Sequence, residues 1–280
     1  MRTLGVAALL VIAWPATAHA VTYGGGTPAD SVRRGQRQLT LVALRTSANG
    51  QARLWVKVAA RCGLAPATGP VTVNSDGTFA FRRTVRDRLG NGVRRTARVR
   101  LAGRVGATSA NGTVSARLTF RNRGRVTGKC PSGTRGWQAR VPAPLGAPSP
   151  ARPDVGYYGV TSQEGGRPWP VVLKVDATGW RVATVSFEYR HRCRSGRVYE
   201  LENMTPGAAI AADGSYHLSE RFTLHYAEGN ERYRVSVDGR FQADGVTGEL
   251  KVVSVLRSRR TGRVIDRCTT GANTSFAAAP

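Results

Sequence analysis

The chain has 280 residues, a formal charge of +25 from 42 Lys+Arg against 17 Asp+Glu, four cysteines and 33 glycines. That length accommodates two ordinary domains, each able to bury its own core. Such an excess of cation points to polyanionic partners, although arginine-rich composition also follows from GC-rich codons. Its distribution is uneven: residues 21–145 hold 23 Lys+Arg and only Asp30, Asp76 and Asp87, while residues 151–280 hold 18 against 14 acids. Codon bias acts on both halves alike, so the first half is the one built to face a polyanion.

Residues 1–20 read as a secretory signal, with Arg2, an apolar run from Leu4 to Trp14, and the small-residue site Ala18-His19-Ala20. Cleavage after Ala20 is expected. No later apolar run approaches the length of a membrane helix, and neither a lipid nor a tail anchor is expected. The mature protein is therefore expected to be exported, soluble or held on the cell envelope by charge.

An internal duplication organises the rest. Tyr233, Val235, Val237, Gly239 and Phe241 match Ala97, Val99, Leu101, Gly103 and Val105 at a constant offset, and Gly248, Leu250 and Val252 match Gly112, Val114 and Ala116. Every second residue in both segments is apolar or glycine, the period of a strand with one buried face.

In chain order, each copy opens alike, Tyr23-Gly-Gly-Gly-Thr27 and Tyr157-Tyr-Gly-Val-Thr161, and continues into an apolar strand, Leu39–Leu44 or Val171–Val175. The third element alternates: Leu54, Val56, Val58, Ala60 and Cys62 share a face, as do Val185, Phe187, Tyr189, His191 and Cys193, which places the first cysteine of each copy inward. Turns at Asp76-Gly77 and Asp213-Gly214 precede Thr78–Val85 and Ser215–His225. The central hairpins follow, and then Gly124–Trp137 and Gly262–Phe276 carry the second cysteine, a glycine (Gly133 or Gly271) and an aromatic.

Export makes the cysteines a disulfide question. Cys62 maps onto Cys193 and Cys130 onto Cys268, so the parsimonious pairs are Cys62–Cys130 and Cys193–Cys268, each closing a loop worth roughly 4 kcal/mol in the chain-entropy picture. Short strands with Gly and Asp turns and no helical period predict an all-β protein: two tandem antiparallel sandwich or barrel-like domains with one disulfide each. The first spans 21–140 and the second 155–280. Between them, 141–154 contains five prolines and reads as a stiff extended spacer holding the domains apart.

The pattern Tyr157-x-Gly159-x-Thr161-Ser162-Gln163, then an apolar strand, a first Cys, an Asp-Gly turn, a glycine-bearing hairpin and a late Cys before an aromatic, resembles small secreted β domains of actinobacterial exported proteins. The second copy fits throughout; the first departs at Pro28 and Ala29, where Ser and Gln would stand. The resemblance implies fold and export and brings no catalytic residues or cofactor.

Catalysis needs convergent acids, bases or nucleophiles. The first mature copy has no His or Glu; in the second, Glu188, His191, Asp213, His217, Glu220 and His225 are the candidates for a hydrolase reading. Glu188 and His191 fall on opposite faces of one strand, and His191 takes the inward register of a core residue. Nucleophile-elbow, zinc-protease and phosphate-loop motifs are absent, and Asp238–Asp244 lacks calcium-loop spacing. No enzyme activity, cofactor or metal site is expected. The arginines carry the stronger signal. Arg94, Arg98, Arg100 and Arg104 take the outward register of one hairpin strand and Arg117, Arg121 and Arg123 that of its partner; Arg53, Trp55, Lys57 and Arg61 take the outward register of another strand. Opposed cations repel unless a polyanion or salt covers them. The expected function is non-catalytic binding, through the first domain, of anionic wall polymer, an anionic membrane surface or nucleic acid; the alternative is a protein-binding module acting through the second domain.

Overall fold

A computed structural model describes residues 20–29, 39–47, 49–142, 146–271 and 274–280, with Asn91 by its backbone alone; all but the last residue of the expected signal, 1–20, lies outside the described residues. The described chain is β throughout apart from one 3-10 turn, Gly90–Gly92. The first sheet comprises β1 (Thr22–Thr27), β2 (Thr40–Thr46), β3 (Gln51–Ala60), β4 (Gly63–Thr72), β5 (Thr78–Arg88), β6 (Arg94–Val105), β7 (Ser109–Asn122) and β8 (Arg125–Arg140). The second comprises β9 (Gly156–Thr161), β10 (Trp169–Val175), β11 (Val182–Cys193), β12 (Val198–Pro206), β13 (Ser215–His225), β14 (Gly229–Gln242), β15 (Gly245–Ser258), β16 (Val264–Thr269) and β17 (Thr274–Ala279).

Both sheets are antiparallel and barrel-like, and their strand orders correspond: β4-β3-β2-β1-β8-β7-β6-β5 and β12-β11-β10-β9-β17-β15-β14-β13. The single β8 of the first copy becomes β16 and β17 in the second, separated at Gly271, whose φ of 100° only glycine adopts readily. β16 then pairs with both β11 and β15. The disulfides join Cys62 to Cys130 and Cys193 to Cys268, as the duplication requires. Cys193 is buried at the inward end of β11; Cys62, expected inward, instead sits exposed in the β3–β4 turn, because β3 ends at Ala60.

Alternation builds each interior. Val42, Leu44, Leu54, Val56, Val58, Val99, Leu101, Val114 and Leu118 fill the first barrel; Val171, Leu173, Val185, Phe187, Val235, Val237, Leu250 and Val252 fill the second. The paired hairpin glycines have a packing cause. Gly103 lies opposite Gly112 and Gly239 opposite Gly248. A Cβ on Gly103 would come within 2.7 Å of the Trp137 ring, and one on Gly248 within 2.6 Å of the Phe276 ring. The late aromatic of each copy thus lies over its own hairpin.

The domains are not beads on a rod. Residues 147–152 run along the second barrel: Pro148 bridges to Gln242, the Ser149 amide donates to the Phe241 carbonyl, and Ala151 joins the second core. A third apolar cluster lies between the barrels, where Ala29, Leu39, Leu41 and Ala59 from the outside of the first meet Tyr158, Val172 and Met204 from the outside of the second. At its centre β1 and β9 pack backbone on backbone. A Cβ on Gly24 would lie 2.1 Å from the Gly159 carbonyl oxygen and 2.3 Å from Val160 Cγ1. The glycine run of the first opening motif therefore lets its partner barrel approach.

Gly24→Val should force the barrels apart, costing on the order of 2 kcal/mol of contact between them. Calorimetry should then resolve two unfolding transitions where the parent gives one; a single unchanged transition would contradict the interface.

Candidate polyanion-binding face

The β5–β8 half of the first barrel has its apolar residues inside, so the residues of the alternate register face the outer surface. Residues 78–140 contain sixteen Lys+Arg and a single acid, Asp87. Cross-strand register turns this composition into rows. Arg82, Arg100 and Ser115 stand side by side, as do Thr84, Arg98 and Arg117; Arg86, Thr96, Thr119 and Lys129; and Arg88, Arg94 and Arg121. The arginines of these rows are exposed, and among the described residues none of Arg82, Arg86, Arg88, Arg94, Arg98, Arg100 or Arg117 has a hydrogen-bond or ion-pair partner. Asp87 does not dilute the face, since it points inward and pairs with Arg95.

The surface is not flat. Pro131 cannot donate to the ladder and Gly133 has φ +74°, so the β7–β8 register slips between Ser115 and Arg117. The Ala116 amide is satisfied by Ser132 Oγ at 2.8 Å instead. The bulge leaves a depression of about 300 Å³ lined by Arg98, Arg100, Ser115, Arg117, Pro131 and Thr134, with no acid in its wall. Arginine forks around such a hollow match the oxygens of a phosphate or sulfate group.

Other sequence-predicted residues separate. Arg104 continues the face but its Nε donates to the Asp76 carbonyl, and Arg121 donates to the Gly124 carbonyl. Arg123 has left the strand for the β7–β8 turn, at φ +47°, and Arg61 lies in the β3–β4 turn. Arg53 stacks over Trp55, 5.6 Å from the ring centre. Lys57 faces outward as its register requires, yet it does not join the open surface. It lies between the barrels, 2.7 Å from Glu188 and 2.6 Å from Glu202, and Arg167 completes the cluster at 2.9 Å from Glu188 and 3.0 Å from Glu200. Burial works against the Lys57 ammonium, but the two carboxylates outweigh it and hold its pKa above the usual value. Trp55 and Lys57 thus line an inter-barrel groove of about 540 Å³ with Arg83, Arg167, Glu188 and Glu200.

The corresponding face of the second barrel mixes signs: His217 pairs with Asp238 at 2.6 Å, Glu249 stands opposite Asp238, and Lys251 opposite Ser236. Arg221, Arg232 and Arg234 line a hollow there too, of about 480 Å³. Glu188, outward by its register, is buried at the interface between the barrels. The other acid–base candidates are dispersed. Glu220 points inward, its pKa raised by burial, and His225 points outward to Asn230, so the two do not meet. Asp213 holds its own turn through Ser215 and pairs with Arg240. His191 is wholly buried against Tyr189 and Tyr233. Its ring lies within 4.8 Å of ligand atoms of Glu231 and Cys268, but Cys268 is oxidised and offers no thiolate.

Sequence reasoning missed Arg82, Arg86, Arg88 and Lys129, although the alternation along β5 contained the first three. It also missed Arg167 and Glu202, which only the packing of the two barrels brings to Lys57. No protein-family model matches this chain, and comparison with curated proteins finds no similar sequence.

Glu188→Gln should leave Lys57 and Arg167 short of counter-charge in a largely buried setting and lower stability by about 3 kcal/mol, with Lys57→Met added to it recovering part of the loss in urea titrations. A second expectation concerns pH. Burial depresses the His191 pKa against the weaker opposing pull of Glu231. Below about pH 6.5 the unfolded imidazole takes a proton that the folded one resists, so stability falls as pH drops through that region. His191→Phe should flatten this part of the urea-midpoint profile; an identical profile would assign the acid sensitivity elsewhere.

Proposed function

We propose that this chain is an exported, non-catalytic protein that binds phosphate-bearing polyanions of the cell envelope or its surroundings through the β5–β8 face of the first barrel. The observation that carries the reading is the set of cross-strand arginine rows, unpartnered by any carboxylate, converging on the hollow formed by the β7–β8 bulge. Like charges directly opposite across a sheet destabilise it, and a polyanion laid over the rows removes that penalty while releasing its counterions. Two disulfides support the export half of the reading, since such bonds persist in oxidising compartments. The resemblance to secreted β domains supports it as well. Wall polymer, anionic membrane and nucleic acid share the phosphate chemistry, and their repeating charge suits rows better than a single deep pocket.

Titrating the full chain with duplex DNA, polyphosphate, teichoic-acid-type polymer and anionic vesicles across a salt series tests this. Contact with six or more phosphates should weaken binding about 10³-fold between 50 and 200 mM salt. Replacing Arg98, Arg100 and Arg117 together by alanine should reduce the salt slope by about 3, one for each lost phosphate contact. Affinity indifferent to salt, or a triple variant with the parent slope, would remove the proposal.

A further inference from the structure

The hairpins β11–β12, β13–β14 and β15–β16 all end at the disulfide end of the second barrel. Between them opens a pocket of about 290 Å³ walled by Tyr199, Tyr226, Tyr233, Glu228, Glu231 and Asp266, with Arg197 and the Cys193–Cys268 bridge at its side. Its charge runs against the rest of the molecule. Three carboxylates face one cation here, whereas the hollows on the outer faces of the two barrels are lined by arginines without acids and the inter-barrel groove sets three cations against two acids.

The carboxylates differ in how far they are already occupied. Asp266 accepts from the Ser195 amide and hydroxyl and lies near Arg197. Glu231 accepts from Ser254 Oγ and lies beside the Tyr233 hydroxyl. Glu228 is exposed and has no partner among the described residues. The Tyr233 ring is held in place by Phe222, stacked at 4.9 Å and 5°. Behind it lies His191, with no exposure and neither ring nitrogen in a well-formed hydrogen bond; the carbonyls of Val252 and Cys268 flank the ring. Burial keeps this imidazole neutral, so it does not repel a cation in front of it. Around the opening, Val198, Leu224, Val264 and Ile265 are exposed apolar side chains.

The duplication supplies an internal control. At the offset that aligns the central hairpins, Glu231 corresponds to Arg95 and Tyr233 to Ala97. In the first barrel Arg95 fills this end, pairing with Asp87 and donating to the Leu64 carbonyl. The core, strand order and disulfide are shared, so the aromatic, acidic lining is a property of the second copy alone.

We propose that the disulfide end of the second barrel binds an organic ammonium group, a primary or methylated amine on an aliphatic carrier. The cation lodges between the half-exposed rings of Tyr199 and Tyr226, beside the buried edge of Tyr233, with Glu228 and Glu231 as counter-charges and the aliphatic rim against the carrier. Aromatic rings attract a cation through their negative faces, most strongly where water is partly excluded. The site is separate from the arginine rows of the first barrel and independent of what binds there.

Calorimetric titration of the full chain with choline, and with its neutral isostere 3,3-dimethylbutanol, tests the charge requirement. Choline should bind at least about tenfold more tightly than the isostere, as expected for a partly desolvated cation–aromatic site. Tyr226→Ala and Glu228→Gln, both at exposed positions and checked by an unchanged near-UV circular dichroism spectrum, should each weaken choline at least about fivefold. Equal affinity for the two probes, no binding of choline up to about 100 mM, or variants that bind like the parent would overturn the proposal. Phosphatidylcholine vesicles separate the sources of the ligand. Retention competed by free choline assigns the ammonium to a lipid headgroup, and soluble binding without retention assigns it to a free amine. Retention that choline does not compete, without soluble binding, overturns the site. Polyanion binding by these variants should be unchanged.

Discussion

A sheet curled into a barrel has one face that must be apolar and one that is free, and the strict alternation of side chains keeps the two apart. The constraint is severe on the inside: Val99, Leu101, Val114 and Leu118 of one copy and Val235, Val237, Leu250 and Val252 of the other fill equivalent volumes. On the outside it is permissive, because an outward residue can change charge without disturbing a core neighbour. Duplication under this constraint yields two barrels alike in core, glycine positions and disulfide and different on every outer surface. The arginine rows and the inter-barrel cluster lie where alternation allows divergence, while the pocket at the second barrel's end lies on the inward register of β14, beyond the end of the apolar core.

The charge difference between the copies has a second physical consequence. Three of the second copy's acids, Glu188, Glu200 and Glu202, gather at the inter-barrel ion cluster around Lys57 and Arg167, and Glu188 is 2 % exposed there. Buried charge of one sign is costly to leave unmatched, so these carboxylates fit the cationic barrel's Lys57 and the second barrel's own Arg167. The cationic first copy therefore has two uses for its charge: one lysine locks the barrels together, and the arginines on the far strands remain free. Shape enforces the same arrangement, since Gly24 permits the approach that brings Lys57 to Glu188.

Much of the fold was legible because it depends on local period. Strand alternation, the Asp-Gly turns and the pairing of cysteines between copies are visible within single segments or between aligned ones. Cys62 departed from expectation because the turn after Ala60 interrupts the strand on which the pattern was extrapolated. The outward register of Lys57 was read correctly and its surroundings were not. Register says which face a side chain leaves from, and nothing in a local pattern says that a second barrel covers that face. The proline segment was misread for a related reason. Its stiffness is intrinsic, but Ala151 packs into the second core and Pro148 bridges to Gln242, which makes the segment a strap and not a spacer. Arg123 failed at a strand end, where a single residue at positive φ cancels the alternation.

The ends of the two barrels show how little sequence is needed to invert a surface. Arg95 and Glu231 occupy matching positions on β6 and β14, and each faces its own barrel's disulfide end. With arginine there, the end is filled by an ion pair to Asp87 and a bond to the Leu64 carbonyl. With glutamate there, and tyrosine in place of Ala97 two residues on, the same space becomes an open aromatic cup whose carboxylates pull against a molecule of charge +25. An acidic cup in so cationic a chain repels anions, so if the first barrel's outer face takes polyanions as proposed, the two surfaces would select ligands of opposite charge. Held against each other at the Gly24–Gly159 contact, the two proposed surfaces would present an anion-binding sheet face and a cation-binding barrel end on one molecule.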